Sequence, residues 1–487
     1  MRTVDVAVIG AGSAGLQAFK AARRHTEDVV LIEGGAYGTT CARSGCMPSK
    51  LLIAAAHHAH AARAAETFGV RTGEVSVDGA AVMARVRSLR DRFVEGVVAD
   101  TRAIPEEHRL RGHARFREPG VLEVDGEALG ARRVVIATGS TPRVPDEIRE
   151  GAGPRCLTIA DLWERDDLPR SLVVFGAGVI GVEAAQALAR LGVRVRCLSK
   201  GGSLATLTDE AVTQAAADIL RADFPLTLDA DIREITHDDD GVSVTFSNGG
   251  TDGGTEDGEV RTERFDYALA ATGRVPNVEG LGLENAGLRL GENGVPVADR
   301  CTCLCEAGEG PEAGVFVAGD AEGNDPVLPV AIDDGRIAGD NAGRWPDIKA
   351  HQRKAGLLIT YTAPTIAVAG LSRAEIEASG HDYAVGEASF ADQGRAVVEA
   401  RDRGLLRLYG ERGTGRLLGA EMAAPDGEHH AHLLAWSMGQ GLRVDEALGL
   451  PVYHPCTEEG VRTALRRLAG ALRMDDLPVE RMMPGDA

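Results

Sequence analysis

Aromatic side chains are scarce in this chain, at 4% of its 487 residues. Single-stranded nucleic acids are gripped on aromatic stacking platforms, so no nucleic-acid partner is expected. Basic charge is also in deficit: 53 Lys and Arg stand against 73 Asp and Glu, a formal net charge of −20. Such a surface repels phosphate backbones and anionic lipid. No apolar run reaches the roughly 18 residues of a membrane-spanning helix. Residues 1–10 lack the basic start and long apolar core of a signal peptide. Eight cysteines in so long a chain are too few for a disulfide scaffold. The expectation is a cytoplasmic protein with no membrane partner, in which closely spaced cysteines signal redox chemistry or metal.

What is present points to several domains, because a chain of this length exceeds one hydrophobic core. Two segments echo each other. Val6-Ala7-Val8-Ile9-Gly10-Ala11-Gly12-Ser13-Ala14-Gly15 and Leu172-Val173-Val174-Phe175-Gly176-Ala177-Gly178-Val179-Ile180-Gly181 both run from an apolar stretch through G-x-G-x-x-G into an Ala-rich helical stretch. A second apolar run follows each, at 29–32 and 193–198. The pattern predicts a βαβ unit, twice. Residues 134–139 and 269–273 predict buried strands ending at glycine turns, and 314–320 predicts a strand reaching a Gly-Asp turn. Strands alternating with helices imply parallel sheets covered on both faces. Residues 142–154 read as a linker, and the Gly-, Asp- and Thr-rich 248–258 as a hairpin tip without function. After about residue 350 the pattern changes. Residues 366–368, 383–385 and 405–409 read as antiparallel strands, and 430–440 and 458–472 as helices. The expected fold is α/β, with two Rossmann-like dinucleotide-binding domains and a C-terminal α+β domain.

A solitary G-x-G-x-x-G is a weak signal, but here each copy follows a strand and opens a helix. Pyrophosphate can then sit on the helix N-terminus. Gly10, Gly12 and Gly15, and Gly176, Gly178 and Gly181, serve the tight turn, the backbone approach to phosphate and helix–strand packing. Two units predict two dinucleotides. A carboxylate for ribose hydroxyls should end the second strand; the first unit has Glu33 there, whereas the second has Ser199 followed by Lys200. A missing acid removes repulsion of a 2′-phosphate, and Lys200 could attract one. NADPH, or weak selectivity between NAD and NADP, is expected at the second site. The bland alternative is that Lys200 is a solvated surface charge.

The segment Gly38-Thr39-Thr40-Cys41-Ala42-Arg43-Ser44-Gly45-Cys46-Met47-Pro48-Ser49-Lys50 precedes an Ala-rich helical run over 51–65. Pro48 fits only a helix's first turn, which places Cys46 at a helix N-terminus. There the dipole and free N–H groups stabilise a thiolate. Cys41, in the preceding loop, is close enough to bridge it. A zinc site would need further ligands nearby, so the pair reads as redox-active.

These residues resemble a class I pyridine nucleotide–disulfide oxidoreductase, of the dihydrolipoamide dehydrogenase-like branch. The resemblance covers the chain from Val4 to about Leu472. It rests on C-x4-C-x-P-S-K and on Tyr453-His454-Pro455-Cys456-Thr457-Glu458-Glu459. It implies FAD and NAD or NADP as cofactors, and a homodimer acting on a small dithiol/disulfide or lipoyl-bearing substrate. It implies an FAD domain in two parts (1–148 and 276–348), an NAD(P) domain (149–275), a C-terminal interface domain (349–475) and a tail (476–487). His454 would cross the dimer interface to the partner's Cys41–Cys46 pair, oriented by Glu459. Lys50 and Glu183 would form an ion pair beside the flavin. Asp320 would hold the ribityl chain and Ala114 would contact FAD through its backbone. Thr40, Thr138 and Gly139 would complete the FAD set, and Gly273 would join the nicotinamide set.

Some features depart from that pattern. Ser199 stands where NAD-dependent members carry an acid. Cys456 stands where Thr is common, and is expected to be a small filler. Cys301-x-Cys303-x-Cys305 is expected to be incidental thiols, and the histidines at 57, 58, 60, 429, 430 and 432 to be surface or packed side chains. Other readings stay open: a reductase of a glutathione- or mycothione-type disulfide, a soluble transhydrogenase, or a flavin redox sensor. The vicinal cysteine tail of mercuric reductases is absent at residues 482–487.

Overall fold

The computed structural model describes residues 1–249, 258–308, 314–324 and 326–474. In the first βαβ unit, β1 (Arg2–Ile9) leads into α1 (Ser13–Ala22) and then β2 (Val29–Glu33). Strand β1 pairs in parallel with β2 and with Glu127–Ile136, Val6 lying opposite both Val29 and Arg133. Val315–Val317 joins Glu127–Ile136 in parallel on its other flank. Residues 29–32 are all buried, as expected for a strand covered on both faces.

The sheet is not wholly parallel. Ala114–Glu118, Val121–Val124 and Glu127–Ile136 form an antiparallel meander. Its second turn is the dipeptide Asp125-Gly126, with φ of 46° and 92°, a two-residue hairpin turn whose twist matches the strands. Helix α1 is covered by Leu328–Arg344. A Cβ on Gly335 would stand 2.1 Å from the Ala14 carbonyl oxygen, and one on Gly339 2.2 Å from that of Ala18. Only glycine lets the two backbones approach so closely.

The second unit repeats the first. Ser171–Phe175 is flanked in parallel by Arg194–Leu198 and Tyr267–Ala270, with helix Val179–Arg190 between the first two strands. The expected linker at 142–154 is instead ordered structure. Ser140–Pro142 pairs antiparallel with Arg274–Pro276, and Asp146–Ala152 is a helix. The prolines flank that helix rather than interrupt it: Pro145 is its N-cap, and Asp146 and Glu147 lie in the first turn, where acids favour the dipole. Residues 250–257 of the expected hairpin tip lie outside the described residues; the strands on either side, Gly241–Asn248 and Arg261–Phe265, pair antiparallel.

Between the units run α2 (Thr40–Arg43), α3 (Cys46–Ala64) and α4 (Gly79–Arg102). Leu52, Ile53 and Ala56 of α3 share one apolar cluster with Met83, Val86, Trp163, Val182, Ala185 and Leu188. This packing sets α3 against the opening helix of the second unit. The C-terminal part is a five-stranded antiparallel sheet ordered Leu357–Thr360, Thr365–Gly370, Leu417–Ala424, Leu405–Glu411, Tyr383–Ser389. Helices Gly427–Gly439 and Glu459–Leu472 pack on it. Among the described residues no helix is long and apolar enough to cross a membrane.

Glu421 ties this sheet to the second unit. Fully buried, it accepts from the N–H groups of Thr208 (2.7 Å), Asp209 (2.9 Å) and Arg373 (2.8 Å) and from the Thr208 hydroxyl (2.5 Å). Asp209, also buried, accepts from Tyr409 (3.1 Å) and Arg407 (3.2 Å) of the same sheet.

Candidate active site

The two cysteines meet where α2 turns into α3. Thr39 caps α2, its hydroxyl accepting from the Ala42 N–H at 3.2 Å, so Cys41 sits on one helical turn rather than in a loop. The Thr40 carbonyl accepts from both Ser44 and Gly45, reversing the chain into α3. Cys46 is the first residue of α3, and Gly45 at the cap has no side chain to take its free N–H groups. From the second unit, the buried Trp163 donates its indole N–H to the Ser44 carbonyl at 2.9 Å.

Both cysteines are free thiols, and they are unequal. The Cys41 thiol donates to the Cys46 sulfur, which pulls Cys46 down to about 7; the Lys50 charge adds to this, while burial opposes it. The same hydrogen bond, with burial, pushes Cys41 well above the ordinary thiol range. Lys50 lies one turn along α3, on the face of Cys46. Its Nζ donates to both Glu183 oxygens, at 2.9 and 2.7 Å. Glu183 is buried on helix Val179–Arg190 and also accepts the Tyr361 N–H at 2.8 Å. The Tyr361 ring lies beneath Lys50 Nζ, 4.5 Å from the ammonium. Three separate parts of the chain thus hold one cation beside the sulfur pair.

The glycine turns form matching cradles. Gly10 has φ +103° and Gly176 φ +105°, and a Cβ on either would meet a carbonyl oxygen, of Ala137 or Ala271, at 2.4 Å. Gly15 and Gly181 pack against the Gly10 and Gly176 carbonyls. At Gly12 and Gly178, by contrast, nothing lies within 4 Å of a Cβ position, which leaves each helix N-terminus open to a phosphate. Glu33 receives the Ala11 N–H at 2.8 Å and the Gly35 N–H at 2.7 Å, so its carboxylate stands beside the first cradle. His113, next to Ala114, faces Gly34, which brings Ala114 to the end of β2. The Thr138 hydroxyl is buried without a partner, and Gly139 and Gly273 leave open space at equivalent turns. Asp320 accepts from Ser140 Oγ at 2.6 Å, and Arg274 donates to that same Oγ at 2.7 Å. This set fits a dinucleotide at the first cradle: an open helix N-terminus, a carboxylate for ribose and an unpartnered buried hydroxyl.

At the second cradle Ser199 is buried, and its backbone bonds to Thr227 and Ala230. Lys200 is exposed and paired with Glu147 at 2.9 Å. His454 and Glu459 are also together, Nδ1 to Oε1 at 3.0 Å, with His454 half exposed. Among the described residues Glu459 is the only side chain bonded to His454, so the chain does not by itself join His454 to the cysteines. Cys456 bonds to the Tyr453 carbonyl at 2.8 Å and is pushed up to about 11 by burial and Glu458.

Cys303 and Cys305, two apart, would share one face of a regular strand; the backbone is left-handed at Cys303 (φ 60°), and the two thiols sit instead in cores on opposite faces of the first sheet. Burial pushes both thiols up. No metal-ligating group of three or more His, Cys, Asp or Glu occurs among the described residues. Trp163, Tyr361, Ser140 and Arg274 had no marker in the sequence. Their partners lie far away along the chain, and only Ser140 and Arg274, each directly after a recognised glycine turn at 139 and 273, stood near a sequence signal.

Residues 4–335 match the pyridine nucleotide-disulphide oxidoreductase family and 358–465 match its dimerisation domain. The chain belongs to this family. A pyridine nucleotide–disulphide oxidoreductase uses FAD and NAD(P)H, and the dimerisation domain supports a homodimer. A mercuric reductase of Streptomyces lividans is 32% identical over 458 residues, 91% of each chain. Dihydrolipoyl dehydrogenase 2 of Haloarcula marismortui is 30% identical over 481 residues, covering 96% of this chain and 97% of that protein. Among solved structures, LpdA of Mycobacterium tuberculosis aligns with a TM-score of 0.77 at 26% identity, over 96% of this chain and 100% of that one. The flavoprotein disulfide reductase RclA of Escherichia coli, at 24% identity and a TM-score of 0.78 over 96% and 99%, shows the same fold.

Proposed function

We propose that this oxidoreductase moves electron pairs between NAD(P)(H) and a small dithiol or disulfide, with dihydrolipoamide the leading substrate, in the cytoplasm. The observation that carries the reading is geometric: Cys41 and Cys46 meet where α2 turns into α3, with Cys46 at the helix start and the Lys50–Glu183 ion pair one turn further along.

FAD, when bound, supplies the two-electron link between the nicotinamide and the sulfur pair. Gly10, Gly12, Gly15, Glu33, Thr40, Ala114, Thr138, Gly139 and Asp320 would hold it. Gly176, Gly178, Gly181 and Gly273 would hold the nicotinamide dinucleotide. Lys50 and Glu183 keep a fixed positive charge beside Cys46. Cys41 is the interchange thiol. Its raised pKa means that it needs a base, and His454 of the partner subunit, oriented by Glu459, takes its proton. The Cys41 thiolate attacks the substrate disulfide, forms a mixed disulfide and expels one thiolate, which His454 protonates. Cys46 then attacks Cys41, releases the second thiolate and re-forms the Cys41–Cys46 disulfide. With a dithiol substrate the sequence runs in reverse. The partition at 148, 275 and 348 belongs to this reading.

Ser199 favours a second version, an NADPH-dependent reductase of a low-molecular-weight disulfide. The Lys200–Glu147 pair leaves that lysine partly neutralised for a 2′-phosphate. Turnover with lipoamide and with oxidised glutathione, each with NADH and NADPH, separates the two. High kcat/KM for lipoamide supports the first version, and glutathione reduction with NADPH the second. No turnover of any disulfide would overturn both.

A further inference from the structure

Behind the His454–Glu459 dyad lies a buried polar chain that no step above uses. His430, on helix Gly427–Gly439, is fully buried. Its Nε2 lies 3.2 Å from Thr457 Oγ1, and that hydroxyl lies 3.0 Å from an Asp426 carboxylate oxygen. Asp426 is held in turn by Arg401, at 2.8 Å.

The direction of each bond follows from chemistry. A carboxylate only accepts, so Thr457 gives its one proton to Asp426. Its oxygen can then only accept from His430, which fixes the Nε2–H tautomer. The bare Nδ1 is buried with no partner. Such a group carries a desolvation cost, and a polar atom left unpaired in a core calls for an explanation.

Every strand of this arrangement ends on the segment that carries the dyad. Thr457 precedes helix Glu459–Leu472 and accepts the Gly460 N–H at 3.0 Å. The His430 ring stacks on Phe390 at 5.7 Å and 13°. Phe390 is wedged against Gly460, where a Cβ would stand 2.8 Å from its ring. Gln393 donates to the Cys456 carbonyl at 2.8 Å, and the Cys456 N–H donates to the second Glu459 oxygen at 3.2 Å.

We propose that His430 is a positioning residue for the dyad: through its Nε2–H bond to Thr457 and its stack on Phe390 it fixes the turn that presents Glu459 to His454. This rests on the role given to His454 above. Asp426, Glu428 and Glu458 favour a charged ring and His429 disfavours one, but burial outweighs them and holds His430 down to about 4. The ring is therefore neutral at working pH, as the single-donor arrangement requires.

The test uses the purified holoenzyme with His430→Leu, His430→Gln and, as reference, His454→Ala. His430→Leu should lower kcat for oxidised lipoamide or oxidised glutathione, whichever turns over, about tenfold, as misplacement of an acid–base group does. NAD(P)H KM and dye reduction should stay within twofold. Backbone hydrogen exchange over residues 454–460 should rise. Gln, which keeps an N–H donor, should restore both. If His454→Ala lowers disulfide turnover but His430→Leu changes neither kcat nor exchange, the positioning role is wrong. It is equally wrong if the Gln variant behaves as Leu does. If His454→Ala leaves turnover intact, the proposed function fails, and the exchange data still decide whether His430 fixes the turn.

Discussion

Replacing Cys41 by Ala tests what makes Cys46 acidic. In the reduced protein Cys46 sits at about 7, with the Cys41 thiol the largest cause and Lys50 a further one. A hydrogen bond to a charged acceptor is worth about 1.5–3 kcal/mol. Cys46 is partly open to solvent, so the lower end applies, which is about one pH unit at roughly 1.4 kcal/mol per unit. Below its pKa the thiolate fraction of Cys46 should then fall about tenfold. Nucleophilicity rises with basicity at a slope of roughly 0.4–0.5 and recovers about threefold. The net result is a fall of about three- to fourfold in alkylation rate at about pH 5.5. Cys41→Ser, whose hydroxyl can still donate, should lie between Ala and wild type. Iodoacetamide labelling across pH, read by peptide mass spectrometry, follows Cys46 on its own peptide, apart from the other seven cysteines. A Cys46 midpoint that stays near 7 in Cys41→Ala would refute the reasoning and leave the helix N-terminus and Lys50 as its source.

Three more outcomes follow from the packing. Glu421→Leu strands four donors at the junction of the second unit and the C-terminal sheet; at about 3 kcal/mol the apparent Tm should fall roughly 3–6 °C, and an unchanged Tm would show that the clamp contributes nothing. Gly335→Ala pushes a Cβ to 2.1 Å from the Ala14 carbonyl, so α1 must shift; flavin absorbance per chain should drop, and full FAD content would contradict the close approach. His430 is held at about 4 against an ordinary 6.5, so between these values the unfolded chain binds more protons than the folded one. The stability this ring contributes is present above about 6.5 and lost as pH falls towards 4, about 3 kcal/mol in all; urea midpoints of wild type and His430→Leu should converge over that window.

Legibility in the sequence followed the range of the interactions. The two cradles were readable because each places its glycines and helix start within ten residues, and the backbone geometry they impose is local. The cysteine pair was readable for the same reason: Pro48 fixes where α3 can begin. The antiparallel meander was missed although Asp125-Gly126 is a strong hairpin signal, because the apolar run before Gly139 resembles any buried strand. Residues 142–154 read as a linker, where Pro142 closes a strand and Pro145 caps a helix. Cys301, Cys303 and Cys305 offered a spacing that a regular strand would place on one face, but no local signal for the left-handed backbone at Cys303, beyond which Cys305 enters the opposite core. Tyr361, Trp163, Glu421 and His430 act on partners more than 25 residues away, and no local pattern announces such a pairing.

The most direct measurement of the central claim is a thiol count under anaerobic conditions, before and after adding NADPH or NADH to the air-oxidised, FAD-loaded dimer. Two thiols per chain should appear on reduction, both mapping by alkylation and mass spectrometry to Cys41 and Cys46. If no thiol appears, or if the new thiols map elsewhere, electrons do not reach this sulfur pair and the reading fails.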